Sequence, residues 1–256
     1  MSIKDLADKI RPKYIISDWD ETITTEDTIQ YVGEVPYLKN PNLQPPFKHF
    51  SEIYYNSYKN YKSKHKLDTI DDYVEFLEGM NPIESSSIDQ LQQHKIFQNL
   101  SKQDFLNQST KIKLRPSVIG FFQKCNSLNI PVYILSTNWT SLIIEDILTT
   151  QNNLELAGVI TNDFVFQDGK TTGNWDTTRD QIRTSVDKLS FVQQYIEKDS
   201  DKNDIMYIGD STNDLLPILE VDYPCCIKDS KLDTILDDFK IDHYSGDWKE
   251  FIDLID

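Results

Sequence analysis

Three short apolar runs, each stopped by a polar residue, most constrain what this chain can fold into. Lys13-Tyr14-Ile15-Ile16-Ser17 runs into Asp18, residues 131–135 run into Ser136, and residues 205–208 run into Gly209-Asp210. Such unalternating runs suit strands covered on both faces, as in a parallel sheet. Residues 156–160 and 223–227 read the same way, and another strand is expected near Ile241. Helical stretches lie between: Arg115-Pro116 to about Leu128, with proline in the first turn, then residues 140–149 and 187–197. Further helices are expected from Thr212 or Asn213, near Leu232 and near Trp248. Phe164-Val165-Phe166, Asp168-Gly169 and residues 170–173 suggest a small β-hairpin, since Asp-Gly suits a tight turn. Strands alternating with helices predict the α/β class, a doubly wound parallel sheet. Ligands bind such sheets beyond the carboxyl ends of the strands. Asp18, Ser136 and Asp210 are therefore expected to meet at one edge.

Residues 47–109 follow another pattern. Phe47, Phe50, Ile53, Tyr54, Tyr58 and Tyr61 recur at helical spacing, and Tyr73, Phe76, Leu77, Leu91, Ile96, Phe97, Phe105 and Leu106 continue it. The segment reads as helical, its aromatic stripes as core packing. Pro36, Pro41, Pro45 and Pro46 mark an irregular loop before it, and Ser85-Ser86-Ser87 a loop into a helix capped by Ser87. The expected division is a catalytic core of residues 1–30 and 114–256, with a helical cap domain of residues 31–113 inserted. A chain of 256 residues is long enough for both.

The formal net charge of −16 weighs against a nucleic-acid partner, which calls for a basic face. It permits a small phosphorylated metabolite, because a local metal and one lysine can make a site electropositive. No run approaches the length of a membrane span, and residues 1–10 lack the apolar region of a signal peptide. Cys125, Cys225 and Cys226 show no CxxC spacing, and the four histidines form no HExxH or HxxxH pair. No zinc site or disulfide framework is expected, and a reducing compartment, cytoplasmic and also compatible with the nucleus, is the default. Nothing in the pattern encodes an oligomeric state.

The chemistry gathers on Asp18-Trp19-Asp20-Glu21-Thr22. At a strand end, the Asp18 carboxylate and the Asp20 carbonyl can share one ion with the Asp210 carboxylate. Magnesium wants such hard oxygens and keeps waters and phosphate oxygens besides. Asp214, one helical turn on, could hold a coordinating water. A carboxylate can also attack phosphorus, forming an aspartyl-phosphate, while a second acid protonates the leaving oxygen. Asp18 and Asp20 suit these roles. Lys188 can neutralise phosphoryl charge, and Ser136 can donate to it.

The ordered set resembles the haloacid dehalogenase superfamily. Asp18-Trp19-Asp20-Glu21-Thr22 looks like its DxDxT motif, Leu135-Ser136-Thr137-Asn138 like its second motif, Asp187-Lys188-Leu189 like its third, and Gly209-Asp210-Ser211-Thr212-Asn213-Asp214 like GDxxxD. The inserted segment is similar to the cap of the phosphoserine-phosphatase-like subgroup. Leu114-Arg115-Pro116-Ser117 looks like the return to the core, with serine where glycine is common. The resemblance implies a magnesium-dependent phosphomonoesterase with Asp18 as nucleophile and Asp20 as acid and base. It also implies Ser136, Thr137 and Asn138 at the phosphate or substrate. Asp27 falls where relatives carry a substrate-contacting acid, and it equally suits a helix cap. A phosphotransferase or mutase, and a non-catalytic acidic binding protein, are the alternatives.

Overall fold

A computed structural model describes residues 9–196 and 204–256. The expected end of one helix at Glu197 and the leader reading of residues 1–8 lie outside these residues. Six strands form a parallel sheet in the order β4-β3-β1-β7-β8-β9. They are β1 (Tyr14–Ser17), β3 (Val132–Leu135), β4 (Gly158–Ile160), β7 (Ile205–Gly209), β8 (Tyr223–Ile227) and β9 (Tyr244–Gly246). A second, antiparallel sheet joins β2 (Gln98–Ser101) to the hairpin of β5 (Phe164–Gln167) and β6 (Lys170–Trp175).

Side chains alternate across the large sheet. Ile15, Val132, Ile134 and Ile208 bury one face against Phe121 and Phe122 of helix Val118–Ser127 and Trp248 and Phe251 of helix Trp248–Leu254. Ile16, Leu135, Ile205 and Tyr207 bury the other against helices Ser185–Ile196, Leu215–Ile218 and Lys231–Asp238. The fold is therefore the doubly wound α/β arrangement that the sequence pattern predicts.

Several local expectations are overturned. Residues 47–109 are not wholly helical. Helices Phe47–Lys62, Ile70–Glu78 and Asn81–Gln93 are followed by β2. Its Leu100 amide donates to Thr171 Oγ1 at 2.9 Å, a partner 71 residues away that helical periodicity cannot foresee. Pro36 lies inside helix Ile29–Lys39 rather than in a loop. Its missing donor is tolerated because Val32, Val35 and Pro36 are buried together. Ser87 is buried within Asn81–Gln93 and caps nothing; the helix begins earlier, with Pro82 in its first turn.

The helix expected from Arg115-Pro116 starts at Val118, because Ser117 takes a left-handed φ of 69° that no helix continues. The strand expected near Ile241 lies at β9, where Tyr244 pairs with Cys225. The division into a core and a cap remains a proposal. Helices Phe47–Lys62 and Asn81–Gln93 stand over the carboxyl ends of the large sheet, where they wall a cavity.

Candidate active site

Asp18 follows the last residue of β1, and its amide still continues the ladder to Ile208 O at 2.9 Å. Asp18 Oδ1 accepts from Trp19 N at 2.7 Å and is paired with Lys188 Nζ at 2.9 Å. Among the described residues none gives a hydrogen bond to Oδ2, and Asp18 lines the cavity. The Lys188 side chain, 1% exposed, also donates to Asp214 Oδ1 at 2.8 Å. Tyr207, inside β7, donates its hydroxyl to the same oxygen at 2.7 Å. Asp214 Oδ2 accepts from the amides of Asp210 at 3.2 Å and Ser211 at 3.1 Å. Gly209 is required for this turn: a Cβ there would lie 2.5 Å from Asp214 Cβ. Asp210 Oδ1 accepts from Thr22 Oγ1 at 2.7 Å.

Oxygens of Asp18, Asp210 and Asp214 converge within 4.8 Å of one another. Three buried carboxylates thus face one ammonium. Burial, reinforced by Asp214, raises the pKa of Asp18 and of Asp210 above the ordinary carboxylate range. Burial alone would lower Lys188, but Asp18 and Asp214 outweigh it and raise the lysine. This surplus of hard oxygen and negative charge fits magnesium. Among the described residues Asp210 Oδ2 takes no hydrogen bond, so Asp210, together with the Asp18 carboxylate through Oδ1, would hold the ion and leave Asp18 Oδ2 to the substrate. Both oxygens of Asp214 are in use, which suits it to orienting Lys188 and the turn beneath Asp210.

Asp20 sits beside them. Its Oδ1 accepts from Thr28 N at 2.7 Å and Thr28 Oγ1 at 2.5 Å, and its Oδ2 from Asn138 Nδ2 at 3.1 Å. Burial, with the charge of Asp27, raises Asp20 to about 6, the Thr28 and Asn138 donors notwithstanding. Having spent its proton on Asp20, the Thr28 hydroxyl accepts from Trp19 Nε1 at 2.9 Å and Asn138 Nδ2 at 3.0 Å. The Asn138 side chain therefore braces Asp20, with its own Oδ1 accepting from Trp139 N at 2.8 Å. Ser136 is fully buried, its Oγ accepting from Asn138 N at 3.1 Å, while Thr137 lines the cavity. Asp27 lines the cavity, and its Oδ1 accepts from Ile29 N at 2.8 Å at the start of a helix.

The cavity above these groups measures about 440 Å³. Phe47, Phe50, Tyr54 and Trp139 give it an aromatic wall. Trp175 lies behind that wall, edge-on to Trp139 with ring centres 6.0 Å apart. Tyr54 donates its hydroxyl to Glu84 Oε1 at 3.0 Å. Arg183, also lining, reaches Ser85 Oγ at 3.3 Å, while its buried Nε has no hydrogen-bond partner.

Sequence reasoning missed Thr28, Tyr207, Glu84 and Arg183 as site residues. Tyr207 hides within an apolar strand, and the Tyr54–Glu84 pair spans 30 residues without a motif.

Burial raises Glu84 to about 7. A carboxyl with a raised folded pKa contributes stability that is present below its unfolded pKa and lost as pH rises through the folded one. For Glu84 that loss falls between about 4.5 and about 7. Glu84→Gln is therefore expected to melt higher than wild type at pH 8, with the difference shrinking towards pH 4.5. Thermal melts across that range check it, and a variant destabilised at pH 8 would contradict it.

The model of the haloacid dehalogenase-like hydrolase family matches residues 15–219. Among curated proteins, cold tolerance protein 1 of Saccharomyces cerevisiae is 27% identical over 238 residues, covering 80% of this chain and 75% of that protein. A CTO1 family protein of Schizosaccharomyces pombe is 29% identical over 219 residues, covering 78% and 76%. A substrate-bound phosphoserine phosphatase complex superposes with a TM-score of 0.61 at 15% identity, covering 97% of this chain and all (100%) of that one, a likeness of fold. The family match takes in most of the first apolar run, all of the other two, and Asp18, Ser136 and Asp210 at their ends: this chain belongs to the haloacid dehalogenase-like hydrolase family.

Proposed function

We propose that this chain is a magnesium-dependent phosphatase that hydrolyses a small phosphomonoester through an aspartyl-phosphate on Asp18. The observation that carries this reading is the state of the Asp18 carboxylate. Lys188 and the Trp19 amide hold Oδ1, while among the described residues Oδ2 bears no hydrogen bond, in a residue that lines the cavity. One oxygen is oriented and the other is left for attack, the arrangement nucleophilic catalysis needs.

Asp18 Oδ2 attacks phosphorus, and the bond to the leaving oxygen breaks as Asp20 protonates that oxygen. Asp20 then takes a proton from the water that cleaves the acyl phosphate. Lys188 balances charge on Asp18. Magnesium, when bound, neutralises the repulsion between carboxylate and phosphate. Asn138 and Thr28 fix the Asp20 carboxyl in place. The aromatic wall, with Asp27 and Glu84 beside it, supports a ring-bearing or cationic leaving group, through stacking and cation–π contact.

The test is release of phosphate from an aryl phosphate. Turnover should require magnesium and stop with chelator. With Asp20 raised to about 6, the protonated acid is depleted as pH rises, so kcat/KM should fall above about pH 6. Asp20→Asn should slow the reaction and remove that limb of the profile. Absence of phosphate release from every member of a panel of small phosphoesters would sink the proposal.

A further inference from the structure

Cys226, Asp233 and His243 come from three elements that no spacing motif connects: β8, helix Lys231–Asp238 and the segment before β9. All three are buried, and their ligating atoms lie within 4.8 Å of one another. The Cys226 thiol stands 3.3 Å from Asp233 Oδ1, and His243 Nε2 stands 3.0 Å from the same oxygen. From these juxtaposed atoms we infer a second metal site: Cys226 Sγ, Asp233 Oδ1 and His243 Nε2 form a zinc-binding centre apart from the phosphatase site.

Donor orientation supports this. His243 Nδ1 lies 2.7 Å from Ile241 O. A carbonyl can only accept, so Nδ1 carries the proton and Nε2 is the nitrogen presented to the cluster. A hydrogen bond from the distal ring nitrogen to a carbonyl is how metal-ligating histidines are commonly oriented. Asp233 is held in the same way. Its Oδ2 accepts from Asp229 N at 2.7 Å and Ser245 Oγ at 2.8 Å, which leaves Oδ1 for the centre.

The spacing is also suitable. With zinc bonds of about 2.0–2.3 Å, the edges of a tetrahedron are roughly 3.3–3.6 Å, a few tenths of an ångström beyond the 3.0 and 3.3 Å gaps seen here. Sulfur, imidazole nitrogen and carboxylate oxygen together favour zinc over magnesium or calcium.

Charge balances as well. Zinc(II) binding would release the Cys226 thiol proton to solvent, so that one thiolate and one carboxylate together match the dication. Asp237, one helical turn after Asp233, lies 3.8 Å from Nε2 with its side chain 75% exposed. It offers an entry route and a fourth ligand.

The centre would tie three elements together at the same sheet edge as Asp210. Cys226 pairs in register with Gly209 and Ser245, and Leu232 N donates to Asp210 O at 2.9 Å.

Cobalt(II) titration of the full chain, reduced and stripped of metal, tests the assignment. The expected result is a thiolate-to-cobalt charge-transfer band in the near ultraviolet that saturates at a single equivalent and is abolished by zinc. The carboxylate cluster at Asp18 contains no sulfur and cannot produce that band. Cys226→Ser and His243→Gln should lose it, and Cys125→Ser and Cys225→Ser should keep it. Asp237→Asn, at the surface and safe for folding, should weaken zinc binding about tenfold. Zinc should also raise the melting temperature of wild type. No thiolate band in wild type, or a band that survives Cys226→Ser, would overturn the inference.

Discussion

Asp18→Asn is expected to lower kcat by roughly 10⁴-fold while leaving the metal-free protein at least as stable as wild type. The two effects have one cause. Among the described residues, Asp18 combines a position at the end of β1, a lysine at 2.9 Å and an oxygen free of hydrogen bonds. An amide oxygen in its place can still accept from Trp19 N and Lys188, so the local geometry has no reason to collapse. It cannot form the acyl phosphate. The substitution also removes one of three mutually repelling carboxylates, and the raised pKa of Asp18 marks its charge as unfavourable in the folded state. Catalysis and stability should therefore move in opposite directions, as at other sites where function is maintained against strain. Phosphate-release assays and thermal melts in chelator read the two effects separately. Wild-type turnover by the purified variant would remove Asp18 from the mechanism.

Lys188→Met should cost about 3–5 kcal/mol of stability in addition to activity. The lysine side chain is 1% exposed and is the ammonium that both Asp18 and Asp214 meet, at 2.9 and 2.8 Å. Methionine fills most of the same volume, so the loss would come from stranding charge rather than from opening a cavity. Acidification should shrink the deficit, since protonating the stranded carboxylates removes the unpaired charge. A second change, Asp18→Asn in the same chain, should recover part of it, because residues that share one ion pair do not contribute additively. Urea unfolding of the two single variants and the double variant measures the coupling. Equal and independent losses would show that the buried pair is not what holds these strand ends together.

The Lys188 ammonium also shows what kind of information a linear pattern carries. In the sequence Lys188 has several lysine neighbours, and only its place at the start of a helix before β7 distinguishes it. The fold buries its side chain completely and surrounds it with three carboxylates drawn from β1 and the turn after β7. The doubly wound sheet was legible because burial on both faces leaves a local mark, a short run of apolar residues with a polar stop. The polar stops were legible as neighbours for the same reason: in a parallel sheet, the strand ends share one edge.

Ser117, Ser87 and Pro36 were misread because their conformations depend on packing. Nothing adjacent in the chain says that Pro36 is held in a helix by burial, or that Ser117 must adopt a positive φ before its helix can start. The strand β2 was invisible for a related reason, since its hydrogen-bonding partners belong to a hairpin about 70 residues later.

By itself, then, the sequence determined the class of fold and the sheet edge at which Asp18, Ser136 and Asp210 meet, and it singled out Asp20, Lys188 and Asp214 as the groups expected beside them. Those features rest on local periodicity and on motifs whose members lie close together. Only the tertiary structure decided the partners of each group: Asn138 and Thr28 on Asp20, Tyr207 on Asp214, Tyr54 on Glu84, and Cys226 beside Asp233 and His243. Hydrogen bonding and desolvation act over a few ångströms of space, whatever the separation along the chain. Their consequences, which oxygen is free and which pKa is raised, were therefore set only once the elements had packed.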